Sequence, residues 1–254
     1  MKKQIYMDNA ATTKLDKRVL DEMLPYLTEQ YGNPSSTYSL GVASKKAIDD
    51  ARGVISEIIN SHPGELYFTS GGSESDNWAI KGVAYANRKK GNHIITTKVE
   101  HHAVLHTCEY LEKNGFEVTY LDVDEEGVID IDDLKEAIRE ETILITIMYA
   151  NNEVGSIMPI KEIGDIAREK NILFHTDAVQ VMGVIEIDVE QLNIDLLSMS
   201  AHKFKGPKGI GALYIKRGVK IDPLIIGGGQ ERSRRAGTEN IASIVGMSKA
   251  LTLA

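Results

Sequence analysis

The stretch Ser200-Ala201-His202-Lys203-Phe204-Lys205-Gly206-Pro207-Lys208-Gly209-Ile210-Gly211 determines how the rest of this chain is interpreted. An apolar run precedes it at residues 194–199 and another follows at residues 212–215, so the stretch is predicted to be a loop between two buried strands. Its glycines and its proline disfavour a helix. A lysine at a strand exit lies where α/β folds present catalytic groups, which makes Lys203 a candidate reactive amine. Composition alone favours the simpler interpretation that the lysines of this loop are solvated charges.

The composition is that of an ordinary globular protein. The chain has 254 residues, of which 42% are hydrophobic and 26% charged, enough for one large or two modest domains. Its 37 acidic and 29 basic residues give a net charge of −8, which argues against nucleic acid or an anionic membrane as the main partner. No apolar segment follows the N-terminal lysines, and nowhere do about 18 apolar residues run together. The single cysteine, Cys108, excludes an internal disulfide. We therefore expect a cytoplasmic protein with a small-molecule ligand.

Helix-like and strand-like segments alternate along the chain. A helix over residues 19–27, with Asp16 as its N-cap, and a second helix over residues 42–59 come first. Strands are then predicted at residues 66–69, 93–97, 116–123, 143–149, 172–176, 194–199 and 212–215, and helices at residues 73–89, 103–113, 131–140, 160–170 and 240–253. This alternation predicts an α/β fold with a mostly parallel sheet and helices on both faces.

Polar residues follow five of the predicted strands, at the edge where ligands bind in such folds. The first exit is Ser70-Gly71-Gly72-Ser73-Glu74, a glycine pair at the start of a helix. Backbone N–H groups and the helix dipole favour a phosphate there, and Ser73 adds a hydroxyl. An ordinary capping box from Ser73 to Asp76 explains the same residues equally well.

Histidines follow the second strand. The imidazole of His101 can stack on an aromatic ligand ring or move a proton near neutral pH. His102 and His106 share a helix face, but no cysteine or carboxylate cluster supports a metal site, so no metal is predicted. The spacing of Cys108 relative to its apolar neighbours predicts a packed core residue rather than a nucleophile.

The third and fourth exits carry amides and an acid, and the fifth is the lysine loop. Asn151 and Asn152 either donate to a ligand oxygen or build a turn. Asp177 ends an apolar strand, where a carboxylate is costly unless a cation pairs with it.

One ligand, pyridoxal phosphate (PLP), matches these exits together. It requires a phosphate cradle, a histidine against its ring, an acid for its protonated pyridine nitrogen and a lysine that forms a Schiff base. At these residues the chain resembles the cysteine desulfurases of the NifS/IscS type, in the class V aminotransferase group of PLP fold type I. The motifs that carry the resemblance, in family order, are Asp8-Asn9-Ala10-Ala11-Thr12-Thr13, Gly32-Asn33-Pro34-Ser35-Ser36, Thr69-Ser70-Gly71-Gly72-Ser73-Glu74-Ser75, Glu100-His101, Asn151-Asn152-Glu153-Val154-Gly155, Asp177-Ala178-Val179-Gln180, Ser200-Ala201-His202-Lys203 with Gly206-Pro207-Lys208-Gly209, and Gly227-Gly228-Gly229-Gln230-Glu231 leading to Arg235-Ala236-Gly237-Thr238.

The resemblance implies a role for each site residue. Lys203 would hold PLP as a Schiff base, His101 would stack on the ring and assist proton transfer, and Asp177 would keep the ring nitrogen protonated. The other cofactor contacts that it implies are Asn152 and Gln180 at the ring substituents and the substrate side, Gly72, Ser73, Ser200 and His202 at the phosphate, and Thr238 at the phosphate of the partner subunit in a homodimer.

The resemblance also implies an activity and a domain organisation. The activity is removal of sulfur from L-cysteine, giving L-alanine and an enzyme persulfide that passes sulfur to an acceptor protein, an iron–sulfur scaffold or a tRNA-thiolation enzyme. Residues 1–15 are expected to be an N-terminal segment that packs with a small domain, and residues 16–254 the PLP-binding large domain. The C-terminal small domain, which carries the nucleophilic cysteine in the family, is expected to be absent, so this chain is expected not to transfer sulfur.

Two other interpretations stay open. The chain could belong to another class V PLP enzyme, such as a selenocysteine lyase or an aminotransferase, or it could be a non-catalytic PLP-binding dimerisation fragment. A cysteine in a Gly/Ser-rich loop downstream of Ala254 in the gene would favour the desulfurase.

Overall fold

The computed structural model describes residues 5–254, and its centre is a seven-stranded sheet. The strands are β1 (Leu66–Thr69), β2 (His93–Thr97), β3 (Glu117–Leu121), β4 (Thr142–Thr146), β5 (Leu173–Asp177), β6 (Leu196–Ser200) and β7 (Gly211–Ile215). The helices of the described part are α1 (Lys17–Thr28), α2 (Ser39–Ile58), α3 (Gly72–Asn87), α4 (His102–Glu112), α5 (Ile131–Ala137), α6 (Ile160–Lys170), the short α7 (Gln230–Ser233) and α8 (Ile241–Leu253). Every predicted strand and helix is therefore confirmed, with differences at the ends.

The sheet order is β1-β7-β6-β5-β4-β2-β3. Strands β3, β2, β4, β5 and β6 pair in parallel, and β7 runs antiparallel to both of its neighbours, β6 and β1. Strand β1 thus points the same way as the parallel strands, and the carboxyl ends of six strands lie along one edge. The prediction of a mostly parallel sheet is confirmed, and this edge is where the polar strand exits meet.

Two hydrophobic cores, one on each face, flank the sheet. One is built around the buried Trp78 and Cys108 of α3 and α4. The other takes its helical side chains from α1, α2, α5, α6 and α8. Helices therefore cover both faces, as the alternation predicts. No helix within residues 5–254 combines the length and the apolar character that a membrane crossing requires.

Three elements end two or three residues earlier than predicted. Strand β4 stops at Thr146, although the buried chain continues and the N–H groups of Ile147 and Tyr149 still donate to β5 at 3.1 and 2.9 Å. Helix α5 stops at Ala137, since the next residue is extended. Strand β3 is shorter than predicted by one residue at its start and two at its end.

Helix α1 begins as predicted, with the Asp16 carboxylate accepting from the Arg18 N–H at 2.8 Å. Its apolar residues divide into two groups. Val19 and Met23 are buried, whereas Leu20, Leu24 and Leu27 are 39%, 45% and 58% exposed. The helical spacing of apolar residues therefore marks the helix without showing which side is covered.

The predicted domain boundary at residue 15 stays a prediction. Residues 1–4 of the N-terminal segment lie outside the described residues. Residues just before Asp16 bond to the lysine loop. Asp16, the first residue after the predicted boundary, does so too, since its N–H donates to the Lys205 carbonyl at 3.0 Å.

Candidate active site

A cavity of about 480 Å³ lies at the carboxyl ends of the parallel strands. Its lining includes every predicted site residue except Thr238: Gly72, Ser73, His101, Asn152, Asp177, Gln180, Ser200, His202 and Lys203. Thr238 is exposed and lies outside this cavity. The fold thus brings the polar exits of five strands to one place, because parallel strands end at the same edge of the sheet.

Lys203 ends a single 3₁₀ turn that directly follows β6. Its ammonium Nζ donates to the Ala11 carbonyl at 3.0 Å and to the Ala10 carbonyl. Burial lowers the pKa of the Lys203 amine, and Asp177 and Asp8 oppose that effect. Because a lysine reacts with a carbonyl only as the neutral amine, partial burial favours the nucleophilic form.

Residues 12 and 13 hold the lysine loop in place. The N–H and the hydroxyl of Thr13 both donate to the His202 carbonyl, at 2.9 and 2.7 Å, and the same hydroxyl accepts from the Lys205 N–H at 2.8 Å. The Thr12 hydroxyl lies 3.1 Å from Nδ1 of His202. These contacts were not predicted. The only signal for them in the sequence is the motif Asp8-Asn9-Ala10-Ala11-Thr12-Thr13, which gave a resemblance without a role for either threonine.

The start of α3 lines the cavity beside Ser200, the first residue of the lysine loop. Gly71, at φ +151°, is the N-cap and makes no side-chain cap. A Cβ on Gly72 would lie 2.8 Å from Cγ2 of Val179, so glycine is needed for this close approach. Within residues 5–254 the N–H groups of Gly72 and Ser73 donate to no protein acceptor. They therefore remain available to an anion at a helix N-terminus.

The alternative of a capping box at Ser73 is wrong. Asp76 is buried and does not cap the helix, whereas the Glu74 carboxylate accepts from the Ser70 N–H at 2.8 Å. The same carboxylate pairs with the Arg235 guanidinium at 2.8 and 3.0 Å, which attaches the segment before Thr238 to the start of α3.

Asp177 lies at the floor of the cavity, at the end of β5. Its side chain is almost fully buried, and Oδ1 accepts from the Val179 N–H at 2.9 Å. Burial raises the pKa of this carboxyl, while the Val179 N–H and the positive charges of His101 and Lys203 oppose the effect. Lys203 supplies the cation that an acid at a strand end needs.

His101 is the N-cap of α4, and its Nδ1 accepts from the Ala103 N–H at 3.1 Å. When the ring is neutral, this bond places the proton on Nε2. One ligand atom each of His101, Asp76 and Asp177 lie within 4.8 Å of one another. The rings of His102 and His106 stack in parallel with 5.0 Å between their centroids, and no third ligand joins them in the described chain.

The paired amides have different roles. Asn151 builds the turn, since its side chain accepts from the N–H groups of Glu153 and Val154 at 2.8 and 3.0 Å. Asn152 lines the cavity and donates to the Glu153 carboxylate at 2.7 Å. Asn151 therefore builds the turn, one of the two possibilities left open by the sequence, and donation from Asn152 to a ligand oxygen stays a prediction.

Cys108 is fully buried in the core around Trp78. Burial raises the pKa of its thiol well above the ordinary value, so the thiolate is disfavoured. The prediction that Cys108 is a packed core residue is confirmed.

The cavity fits PLP in the chemistry and the order of its groups. The N–H groups of Gly72 and Ser73, at the start of the 16-residue helix α3, have no protein acceptor within residues 5–254, and Ser200 and His202 line the same cavity. A buried carboxylate, Asp177, with one backbone donor lies at the floor, where a protonated ring nitrogen would complete its hydrogen bonding. The Lys203 amine lines the same cavity, where it contacts the carbonyls of Ala10 and Ala11. The donor set is thus that of a PLP site.

Comparison with known proteins agrees with this assignment. The chain matches the family described as aminotransferase class-V over residues 5–254. It is 65% identical to the cysteine desulfurase IscS of Clostridium botulinum (strain Hall) over 254 residues, which is 100% of this chain and 64% of that protein. The solved structure of a NifS-like protein has a TM-score of 0.97 and 45% sequence identity, and the match covers 99% of this chain and 69% of that one. The structure described as SspA in complex with cysteine has a TM-score of 0.96 and 45% sequence identity, and the match covers 98% of this chain and 72% of that one.

The resemblance to the NifS/IscS type that the sequence motifs carry is therefore confirmed. The chain spans about two thirds of the length of the relatives it matches, and 64% of the C. botulinum protein. Because the family match covers all but the first four residues, the chain belongs to the class-V aminotransferase family, whose members depend on pyridoxal phosphate.

Proposed function

We propose that the protein to which this chain belongs is a cysteine desulfurase, which removes sulfur from L-cysteine and leaves L-alanine and an enzyme persulfide. The observation that carries the proposal is the single cavity that unites Lys203, Asp177, His101 and the open N-terminus of α3. The names of the C. botulinum and NifS-like relatives support the choice of reaction.

When bound, PLP supplies an electron sink that stabilises negative charge at the α-carbon of an amino acid. In the proposal, Lys203 would hold the cofactor covalently, and its amine would be released when the amine of the substrate takes its place. The Asp177 carboxylate accepts a hydrogen bond from the ring nitrogen and keeps its proton in place. His101 moves a proton at Nε2, the ring atom that its Ala103 contact leaves available.

The phosphate is assigned to the N–H groups of Gly72 and Ser73 and to the side chains of Ser73, Ser200 and His202. Their common position at the start of α3 and at the lysine loop supports this assignment. Asn152 and Gln180 are assigned to the ring substituents and the substrate side. Gln180 donates to the Ala10 carbonyl at 3.1 Å, so it also touches the segment that receives Lys203.

We also propose a homodimer in which Thr238 contacts the phosphate of the partner subunit. Two facts support it: Thr238 is exposed away from its own cavity, and the apolar residues Leu224, Ile225 and Ile226 near it in sequence are 36%, 38% and 85% exposed. The sulfur acceptor is proposed to be an iron–sulfur scaffold or a tRNA-thiolation enzyme, and the location to be the cytoplasm.

Sulfur transfer needs a mobile thiolate, and the 254 residues contain only the buried Cys108. We therefore propose that this chain by itself binds PLP and L-cysteine without forming a persulfide efficiently.

The test uses the full-length natural protein reconstituted with PLP. Alanine and sulfide are quantified with L-cysteine in the presence of a reductant, and L-selenocysteine and an amino-acid/oxo-acid pair serve as competing substrates. The proposal expects L-cysteine to give equal amounts of alanine and reducible sulfur. Turnover of selenocysteine alone would indicate a lyase, and amino transfer without sulfur release would indicate an aminotransferase; either would overturn the proposal.

A further inference from the structure

Three buried carboxyl groups meet at and beneath the floor of the cavity. Asp76 of α3, Glu100 just before α4 and Asp177 at the end of β5 are 1%, 5% and 7% exposed. Asp76 and Asp177 line the cavity. The roles proposed above use only Asp177, and three ionised carboxylates in one low-dielectric region would repel one another strongly.

Among residues 5–254, no lysine or arginine forms an ion pair with Asp76, and the ring of His101 lies within 4.8 Å of Asp76 as well as of Asp177. The Oδ1 atom of Asp76 is buried without a hydrogen-bond partner in the described chain. The nearest basic side chain in an ion-pair geometry is His175, whose Nε2 is 3.7 Å away. Both ring nitrogens of His175 already face hydroxyl groups, Thr146 at 2.8 Å and Ser198 at 3.0 Å. Burial lowers the pKa of His175 to about 3, so the ring is neutral.

Glu100 forms no ion pair with a basic side chain in the described chain either. Its Oε1 accepts from the Thr97 hydroxyl at 2.8 Å and from the Met148 N–H at 2.9 Å, while Oε2 is buried without a partner among residues 5–254. Burial raises the pKa of Glu100 to about 8. This carboxyl is therefore mostly protonated at neutral pH.

Asp177 differs from both because positive groups face it. A backbone N–H donates to it, and His101 and Lys203 act on its charge. One oxygen of Asp76 lies within 4.8 Å of one oxygen of Asp177, so the two acids cannot both ionise without a large mutual penalty. The negative charge therefore resides on Asp177, which has a backbone donor and the charge of Lys203 nearby, whereas Oδ1 of Asp76 has no partner in the described chain.

We propose that Asp76 is a positioning residue that acts as a neutral carboxylic acid behind Asp177 and keeps the one negative charge of the floor on Asp177. Burial, the neighbouring Asp177 and Glu100 raise the pKa of Asp76 well above its usual range, and the Ser198 hydroxyl opposes them. The consequence for the cofactor rests on the proposed function, in which Asp177 holds the ring nitrogen. The protonation of Asp76 in the protein without PLP does not depend on the proposed function.

The first test measures protonation directly in the unmodified protein. Aspartate labelled with ¹³C at the carboxyl carbon is followed by NMR from pH 4.5 to pH 8 in wild type, with Asp76→Asn used to assign the signal. We expect one aspartate signal, absent from Asp76→Asn, to keep the shift of a protonated acid through pH 7. A wild-type protein in which every aspartate carboxyl has titrated by pH 6 would overturn the proposal, and this result does not depend on how well the variant folds.

The second test uses thermal unfolding of the protein without PLP. An acid that must stay protonated in the native state destabilises it as pH rises above the value at which the unfolded chain releases the same proton. We therefore expect Asp76→Asn to gain in Tm relative to wild type as pH rises from 4.5 to 8. The matched control is Thr96→Val, which removes another buried oxygen without a partner and should give a pH-independent difference. A deficit of Asp76→Asn that grows with pH would show an ionised, paired Asp76 and overturn the proposal.

The third test concerns the cofactor. Asp76→Asn keeps a neutral polar group of the same shape, so its Kd for PLP should stay within about twofold of wild type, with an unchanged pH midpoint of the bound PLP absorbance. Asp76→Ala should weaken binding and shift that midpoint. A tenfold or greater loss in Asp76→Asn would mean that the charge of Asp76 is required. None of these measurements needs sulfur release. A failure of the proposed desulfurase activity would therefore leave their results unchanged, and the two failures can be told apart.

Discussion

The lysine loop and helix α4 each carry a potential nucleophile, and the two differ in almost every physical respect. Lys203 lines a polar cavity and lies on a turn that long-range hydrogen bonds from Thr13 hold in place. Cys108 lies in an apolar core with no exposed surface. Burial lowers the pKa of the amine toward its reactive form, and it raises the pKa of the thiol away from its reactive form.

The difference shows that burial acts with opposite sign on the two kinds of nucleophile. Desolvation disfavours whichever form is charged. It therefore increases the fraction of neutral amine, the reactive form of a lysine, and decreases the fraction of thiolate, the reactive form of a cysteine. The directions of the two pKa shifts therefore favour the reactive form of Lys203 and disfavour that of Cys108. Four predictions test this contrast.

The largest effect is expected at Lys203. The holoprotein should be yellow, and Lys203→Ala should lose all PLP that borohydride can fix to the chain, because no other amine lines the cavity within the described residues. Peptide mass spectrometry after reduction checks the attachment point. Lys208→Ala, an exposed lysine of the same loop, is the control and should retain full labelling. Label at another lysine in wild type would contradict the assignment.

The next effect is expected at Asp177. Asp177→Ala should raise the Kd for PLP by about 10-fold to 100-fold, because a charge-assisted hydrogen bond contributes about 1.5–3 kcal/mol. Asp177→Asn keeps one hydrogen-bonding group and should lose less. Equilibrium dialysis at pH 7.5 measures both values. If the two variants bind PLP like wild type, Asp177 is not part of the cofactor site.

A smaller effect is expected at Glu100, which lies between the cavity and α4. The ordinary pKa of this carboxyl is 4.5 and burial raises it to about 8. The unfolded chain therefore releases the proton first, and the contribution of Glu100 to stability falls by roughly 4 kcal/mol as pH rises from 4.5 to 8.

Glu100→Gln should remove that loss, so the variant gains stability over wild type across this pH range and the difference is constant above it. Urea unfolding of the protein at several pH values measures the gain. A difference between the two proteins that does not change with pH would show that Glu100 is ionised in the folded state throughout.

The smallest effect is expected at Cys108. The chain should change the spectrum of bound PLP on addition of L-cysteine, since exchange at Lys203 needs no thiol. Sulfide formation with a reductant should stay close to the rate of free PLP, and Cys108→Ser should leave it unchanged. Robust desulfuration that disappears in Cys108→Ser would show that the thiol reaches the cavity. A thiol reagent that labels native Cys108 as fast as the unfolded chain would point the same way.

Local pattern predicted much of the fold and several candidate site residues, and the resemblance to the family added Gln180, Ser200, His202 and Thr238. Periods of about 3.6 and 2 residues located the helices and strands, because each element must turn an apolar face inward. Glycine and proline at the strand exits marked the loops, and the alternation of elements required the exits of parallel strands to share an edge. Nine of the ten predicted site residues line one cavity for that reason; Thr238 is the exception.

Only the tertiary structure decided which polar groups are buried together. Asp76 looked like half of a capping box, and packing of α3 on β5 and β6 instead placed it beside Asp177 and His175. Neighbours far away in the chain likewise decide three other features. These are the hydrogen bonds of Thr13 to the lysine loop, the turn-building role of Asn151 and the exposure of the leucines of α1. Local sequence sets backbone conformation, whereas desolvation and charge coupling are set by whatever the remaining elements bring within a few ångströms, and the pattern of one segment does not contain that information.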